Sequence, residues 1–169
     1  YMHAVRRYEQ EIGNLAWAAP QDWMCEPWIT AKTGLSVLEH QRRTVASVLE
    51  LRSAGLPVIP VLQGWSAGDY YDCVEMYAHA GIDLLKEPTV GIGSICRRQG
   101  TLRATHLIRD LAAEGLRLHG FGFKAQGLQA VGHLLASADS MAWSFHARRE
   151  GKQRECSHAS CANCQRFAL

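Results

Sequence analysis

The chain has 169 residues, of which 47% are hydrophobic and 20% charged, the balance of one globular domain and not of a disordered segment. Its net charge of +2 excludes a field strong enough to pull the whole molecule onto nucleic acid, so any such surface must be a local patch. No stretch nears the roughly 20 apolar residues of a membrane span. Two patches qualify, Arg97-Arg98 and the group Arg148, Arg149, Lys152 and Arg154, although each alone also reads as solvated surface. The N-terminus has no signal-peptide pattern, so a cytoplasmic setting is expected. Because residue 1 is Tyr rather than Met, the chain is expected to lack its natural start.

In chain order, residues 1–12 (YMHAVRRYEQEI) predict a helix, and the apolar run at 15–19 a short strand stopped by Pro20. After a polar loop, 36–54 places Val37, Leu38, Val45, Val48, Leu49 and Leu51 at helical spacing. Ser36 followed by Glu39 reads as a capping box, and Gly55 as the stop. PVIPVL at 57–62 predicts a buried strand. The pattern then repeats: a helix at 67–80 before Gly81, an apolar stretch at 82–85 leading to the strand around 90–93, a helix at 101–114 before Gly115, a strand at 116–120, a helix around 127–135 and a strand at 136–143. Strands alternating with helices mean βα units and a parallel sheet. Five strands are too few for a closed eight-stranded barrel, which takes about 250 residues. The expected fold is therefore α/β, a partial (β/α)8 barrel lacking its N-terminal units over residues 1–150, with a zinc-binding segment at 151–169. A small open sheet is the alternative.

In parallel α/β proteins the loops after the strands' C-terminal ends carry the site. Here they hold Asp22 with Cys25, then Gln63-Gly64, Gly91-Ile92-Gly93-Ser94, His119-Gly120-Phe121-Gly122, and Ser137-Ala138-Asp139-Ser140. A carboxylate such as Asp22 suits a purine's ring N–H and amino group, and Gln63 both donates and accepts. Gly64, Gly91, Gly93, Ser94 and Gly120 complete the expected substrate-binding set, the glycines by letting backbone amides approach a ligand. Asp139 is expected as a catalytic carboxylate able to attack an anomeric carbon. Asp22 and Asp139 are each also compatible with capping a turn. Gly91 and Gly93 give only GxG, which does not indicate dinucleotide binding.

Three cysteines are scattered, Cys25, Cys73 and Cys96, and these read as core thiols. The other three crowd into Cys156-Ser157-His158-Ala159-Ser160-Cys161-Ala162-Asn163-Cys164. Cys156, His158, Cys161 and Cys164 match a closed Cys3His site, which implies a structural Zn2+ in a reducing compartment.

With these residues in order, the chain resembles the tRNA-guanine transglycosylase superfamily. The stretches that carry the resemblance are Asp22 with Cys25, Val61-Leu62-Gln63-Gly64, Gly91-Ile92-Gly93-Ser94, His119-Gly120-Phe121-Gly122, Ser137-Ala138-Asp139-Ser140 and Cys156-x-His158-x2-Cys161. Wording such as APQDWMCEP, VIPVLQGW, GIGSICRRQ, LHGFGFK and SADSMAWSF is similar to the branch of deoxypurine in DNA protein A. The resemblance implies exchange of guanine for a 7-deazaguanine base in nucleic acid, with DNA favoured over tRNA, as part of phage or bacterial DNA modification. It also implies assembly with itself or with modification partners. Two departures accompany it. The nucleophile register of the tRNA enzymes falls on Ala142, with Asp139 matching the first Asp of their D-x-F-D. The family's general acid/base Asp would lie upstream of Tyr1, so this chain alone is expected to be catalytically incomplete. A metal-dependent hydrolase is the weaker rival, since only His119 sits at a strand end suited to a metal. A non-catalytic nucleic-acid-binding remnant is the other alternative.

Overall fold

The computed structural model describes residues 1–168. Its three longest helices form where side-chain caps and glycine stops coincide. Helix α1, Met2–Ile12, is mostly exposed and buries only Val5. Helix α3 covers Val37–Ser53 and buries Val45, Val48 and Leu51 on one face. Ser36 Oγ accepts from the Glu39 N–H at 3.2 Å, but the Glu39 carboxylate takes Arg43 Nε at 2.7 Å, so only half of the expected capping box is made. The complete box is at helix α4, Ala67–His79, where Ser66 and Asp69 cap each other. Thr101 caps helix α5, Leu102–Ala113. Gly55 and Gly115 follow α3 and α5 with φ of 79° and 95°, the left-handed region that glycine alone enters without cost.

These helices alternate with strands β1 (Val61–Leu62), β2 (Val90–Ile92), β3 (Leu118–Gly120) and β4 (Ser137–Ala138). All pairings are parallel, and the order β1-β2-β3-β4 follows the chain without reversal. The run at 15–19 joins through a single bridge, Ala18 to Val58, closed by Ala18 N–H to Pro57 O at 2.8 Å and Ile59 N–H to Ala18 O at 3.1 Å. The sheet is thus four strands plus a bridge, not five full strands.

The strands are short because side chains do part of the ladder's work. Tyr70 and Tyr77, seven residues apart on α4, are fully buried. The Tyr77 hydroxyl accepts from the Val61 N–H and donates to the Val61 carbonyl, both at 3.0 Å. The Tyr70 hydroxyl donates to the Gly93 carbonyl at 2.7 Å. Arg52 of α3 donates to Val58 O at 2.9 Å and pairs with both oxygens of Glu87 at 2.7 Å. Around the strands, Leu62, Ile92, Ile108, Leu111, Leu118 and Phe123 are sealed from solvent.

Three elements depart from expectation. Helix α2, Pro27–Thr33, occupies what the sequence presents as a polar loop, with Pro27 at its first position. Helix α6 covers Ala125–Val131 and a 3-10 turn Gly132–Leu134 follows it. The expected strand at 136–143 is only β4, both residues of which are exposed; helix α7, Ala142–Glu150, takes the rest. Ser140 Oγ accepts from the Ala142 N–H at 3.2 Å and starts that helix. Its buried residues, Ser144 and Ala147, are small, and Ala147 packs with Cys156, Cys161 and Cys164 in a cluster separate from the main core. A 3-10 turn, Cys161–Asn163, and helix α8, Gln165–Ala168, complete this end.

Candidate active-site cleft and metal centre

Parallel strands in chain order bring the loops after them into one row along the sheet's C-terminal edge. A cleft of about 270 Å3 opens in that row, walled by Asp22, Met24, Glu26, Ile92, Ser94 and Phe121. Beneath it runs a continuous hydrogen-bond network. Gln63, fully buried, donates its amide N–H to Asp22 Oδ2. Its amide oxygen lies 2.6 Å from Ser94 Oγ, which also lies 3.0 Å from Glu26 Oε2 and accepts the Cys25 N–H at 2.7 Å. Gln41 fixes the backbone under Gln63, donating to its carbonyl at 2.8 Å and to the Asp69 carbonyl at 2.6 Å. Ser94 adopts φ 52° without being glycine, a conformation that persists only where its surroundings over-determine it; the three partners of its hydroxyl do so.

Asp22 is open to solvent as a residue, while its carboxyl is held against this network. Burial of the carboxyl raises its pKa above the usual aspartate value, and the neighbouring charge of Glu26 adds to the rise; hydrogen bonds from its own backbone and from Gln63 oppose it. Asp22 and Gln63 therefore lie side by side, but Gln63 makes its bonds to protein and has no exposed surface. Its geometry is that of a group orienting Asp22 and Ser94, not of one touching a ligand.

The glycines stand here for a different reason from the one expected. The amides of Gly91 and Gly93 already donate to Pro60 O at 2.8 Å and Leu62 O at 2.9 Å, so neither is free for a ligand. A side chain at Gly93 would reach within 2.1 Å of Gln63 Nε2, one at Gly91 within 2.5 Å of Phe121, one at Gly120 within 2.6 Å of Phe123 and one at Gly64 within 2.8 Å of Tyr70. These glycines make room for neighbouring side chains.

Asp139 stands at the far end of the row. Its N–H donates to Gly120 O at 3.2 Å, and its Oδ1 accepts the Gly122 N–H at 2.6 Å. The side chain is 59% exposed and lies 3.9 Å from His119 Nε2. His119 is buried, holds Ser137 Oγ at 2.8 Å through Nδ1, and meets the ring edges of Trp17 and Phe121 with centroids 4.9 and 4.7 Å away. Burial lowers its pKa, with Asp139 opposing, so it is neutral at pH 7. Phe121 lines the cleft and also meets the His119 ring, so it links the cleft to this Asp139–His119 pair.

Cys25 and Cys73 are buried and Cys96 half-buried. Burial pushes the Cys25 thiol up to about 12, which leaves it protonated and unsuited to nucleophilic chemistry. The four remaining candidates converge at the C-terminus: one ligand atom from each of Cys156, His158, Cys161 and Cys164 lies within 4.8 Å of all the others. Cys156 Sγ is 3.7 Å from Cys164 Sγ, and His158 Nε2 is 3.3 Å from Cys161 Sγ. The Gln153 N–H points at Cys161 Sγ from 3.3 Å, and the backbone N–H groups of Phe167 and Arg166 hold the Cys164 thiol below the usual cysteine range. Such a group can hold a metal ion.

All of the chain, residues 1–169, matches the family described as DeoxyPurine in DNA protein A, or DpdA. The chain belongs to the DpdA family. This is the family of 7-deazaguanine DNA transglycosylases, within the tRNA-guanine transglycosylase superfamily. No curated protein matches the chain. Membership ties this DpdA-family chain to a transglycosylase role in DNA modification. No described helix is long and apolar enough to cross a membrane.

One cleft residue, Glu26, lies in the polar loop that the sequence points to but carries no role in that reading. Glu26 is only 3% exposed, faces the cleft and is held by Ser94. A single Glu before a proline reads as surface; the available signal was the density of polar residues in PQDWMCEP, a loop too short to send them all outward.

Proposed function

We propose that the protein exchanges guanine in DNA for a 7-deazaguanine base by way of a covalent glycosyl intermediate. The observation that carries this reading is the Asp22–Gln63–Ser94–Glu26 network beneath a small cleft at the sheet's C-terminal edge. Asp22 accepts the ring N–H and exocyclic amino group of the purine edge. Gln63 and Ser94 hold Asp22 and Glu26 in place, and Phe121 and Ile92 supply the apolar walls a flat ring needs. The Asp139 carboxylate attacks the anomeric carbon; the C–N bond breaks and the base leaves with the bonding pair and takes up a proton. The incoming base then displaces Asp139 from the same carbon and gives up its ring N–H proton to solvent, which balances the proton the departing base takes from solvent. The Gly122 N–H on Oδ1 orients Asp139, whose side chain is 59% exposed.

Residues 1–150 belong to a partial barrel on this reading, and 151–169 to a zinc-binding segment that α7 packs against. Two observations support the barrel. The strands are parallel and lie in chain order, and the right-handed crossovers usual for such connections would put the helices on one face, as in a barrel wall. Trp17, beside the bridge, meets His119 of β3 at 4.9 Å, although a flat sheet would hold those strands about 14 Å apart at the usual 4.8 Å spacing. Zinc is the ion of choice at the C-terminus: a tetrahedral site with Zn–S of about 2.3 Å spaces its sulfurs about 3.8 Å apart, and Cys156 and Cys164 are 3.7 Å apart. The four ligands leave no open position, so the ion holds structure and takes no part in the exchange.

The test is incorporation of a labelled deazaguanine base into guanine-containing DNA, with the covalent adduct trapped and mapped. An adduct on Asp139, and loss of exchange in Asp139→Ala with base binding retained, is the expected result. An adduct on another residue, or an active Asp139→Ala protein, refutes the assignment.

A further inference from the structure

Beyond Phe121, a second and larger groove of about 780 Å3 runs from the β2 loop, past Gly122, to helix α7. It shares Cys96 with the base cleft, so the two are contiguous. Its cations are Arg97, Lys124 and Arg149, all exposed, and no acidic side chain lines it among the described residues. None of the three has an ion-pair partner within 4.0 Å among the described residues. One arginine comes from each of the sequence's two basic clusters, which are more than 50 residues apart in the chain but face one groove in the fold.

Each arginine is paired with an aromatic ring. Arg97 lies 5.3 Å from the ring centre of Trp28, and Arg149 lies 5.4 Å from that of Phe145. Trp28 is 44% exposed, Phe145 62% and Met141 63%; Met141, Trp143 and Phe145 line the groove itself. Exposed cations and aromatic rings lining one groove are the two elements that grip an unpaired strand: cations follow the phosphates and rings stack on the bases. A paired duplex offers no base face to such rings. The neighbouring cleft is also too small for a base still inside a helix, so the target nucleotide must already be unstacked.

We propose that this groove seats the unpaired DNA strand flanking the nucleotide whose base is exchanged, with Arg97, Lys124 and Arg149 on its phosphates and Phe145 and Trp143 stacked on its bases. The identity of the polymer rests on the DNA-exchange reading; the grip itself does not require that exchange occur.

The experiment measures binding of a short fluorescein-labelled single strand by anisotropy across a range of salt. The Arg97→Ala/Arg149→Ala double variant should bind at least about tenfold more weakly and lower the salt slope by about 1.4, the share of two phosphates on a single strand. Phe145→Ala should weaken binding about tenfold with the slope unchanged. Arg7→Ala, on the exposed face of α1, should leave strand affinity as in the wild type. A bromouracil-substituted strand crosslinked to the wild-type protein should map to Trp143 or Phe145, a readout that needs no variant to fold. Groove variants that bind like wild type, an equal loss in Arg7→Ala, tighter binding of duplex than of single strand, or crosslinks elsewhere would each overturn the proposal. If the strand binds through the groove while no labelled base is exchanged, the functional reading fails and the groove assignment stands.

Discussion

The base cleft and the C-terminal cysteine group are both built from polar side chains, yet they are held together in opposite ways. Every group of the cleft rests on a large core: Gln63 and Ser94 are buried, Gln41 anchors the backbone below them, and Tyr70 and Tyr77 tie the strands to α4. Its order is secured by packing before any ligand arrives. The C-terminal group has Ala147 and the half-buried Phe167 for apolar company, and its thiols face one another. On the zinc reading, what orders that end is the ion itself. On that reading the contrast separates a site that a fold presents from a segment that a metal would fold.

The largest effect should come from removing the ion. Structural zinc contributes on the order of 10 kcal/mol in small sites, so chelation or Cys161→Ser should unfold the C-terminal segment and release about one equivalent of metal. Hydrogen exchange should rise sharply there while the sheet amides stay protected; a global collapse would show that the two regions are not independent. The reverse test is Phe123→Ala, in the main core. Emptying a fully buried phenylalanine site costs about 3–5 kcal/mol, and it should lower the melting temperature while the metal content stays the same.

A smaller effect is expected at Asp22. Losing one charge-assisted bond in a buried setting costs about 1.5–3 kcal/mol, so Asp22→Asn should weaken guanine or deazaguanine binding by about tenfold or more, measured by calorimetry, with the circular dichroism unchanged. The pH dependence follows from its raised pKa. The folded state holds this proton more tightly than the unfolded chain, so the group's stabilising contribution is full at pH below the usual aspartate value and is lost as pH rises through the raised folded pKa. Base binding runs the other way, because only the carboxylate accepts two hydrogen bonds. Affinity should therefore fall on acidification at a higher pH than an ordinary aspartate would give, and a midpoint at the ordinary value would remove the argument. The smallest effect is at Ser94. Ser94→Gly relieves the φ of 52° but loses the hydroxyl, and the two changes, each worth about 1 kcal/mol, should nearly cancel in stability. Base affinity should still drop, since Glu26 loses its partner.

The helices of the main core were legible because their signals are local. Ser66 and Thr101 cap them, Gly55 and Gly115 end them, and apolar residues recur at helical spacing. The order of strand ends was legible too, since the polar loops interrupt apolar runs. Helix α7 was not: it buries Ser144 and Ala147 against the cysteines, so its inner face carries no hydrophobic stripe and its apolar start reads as strand. The roles within the cleft were hidden for a different reason. Whether Gln63 meets a ligand or spends its amide on Asp22 and Ser94 depends on partners 41 and 31 residues away, and no local pattern encodes that. The same holds for Gly93, which yields its side-chain space to Gln63.

Ser94 has one hydroxyl proton and two acceptors within reach, Gln63 Oε1 at 2.6 Å and Glu26 Oε2 at 3.0 Å. It satisfies one of them at a time, so at any instant the cleft is one donor short. An amide oxygen tolerates that shortage better than a buried carboxylate does. On the proposed function the deficit would act as a form of selectivity. A ring that brings a spare N–H to Glu26 completes the count and lets Ser94 settle on Gln63, while a ring offering only acceptors at that position leaves the carboxylate unmet.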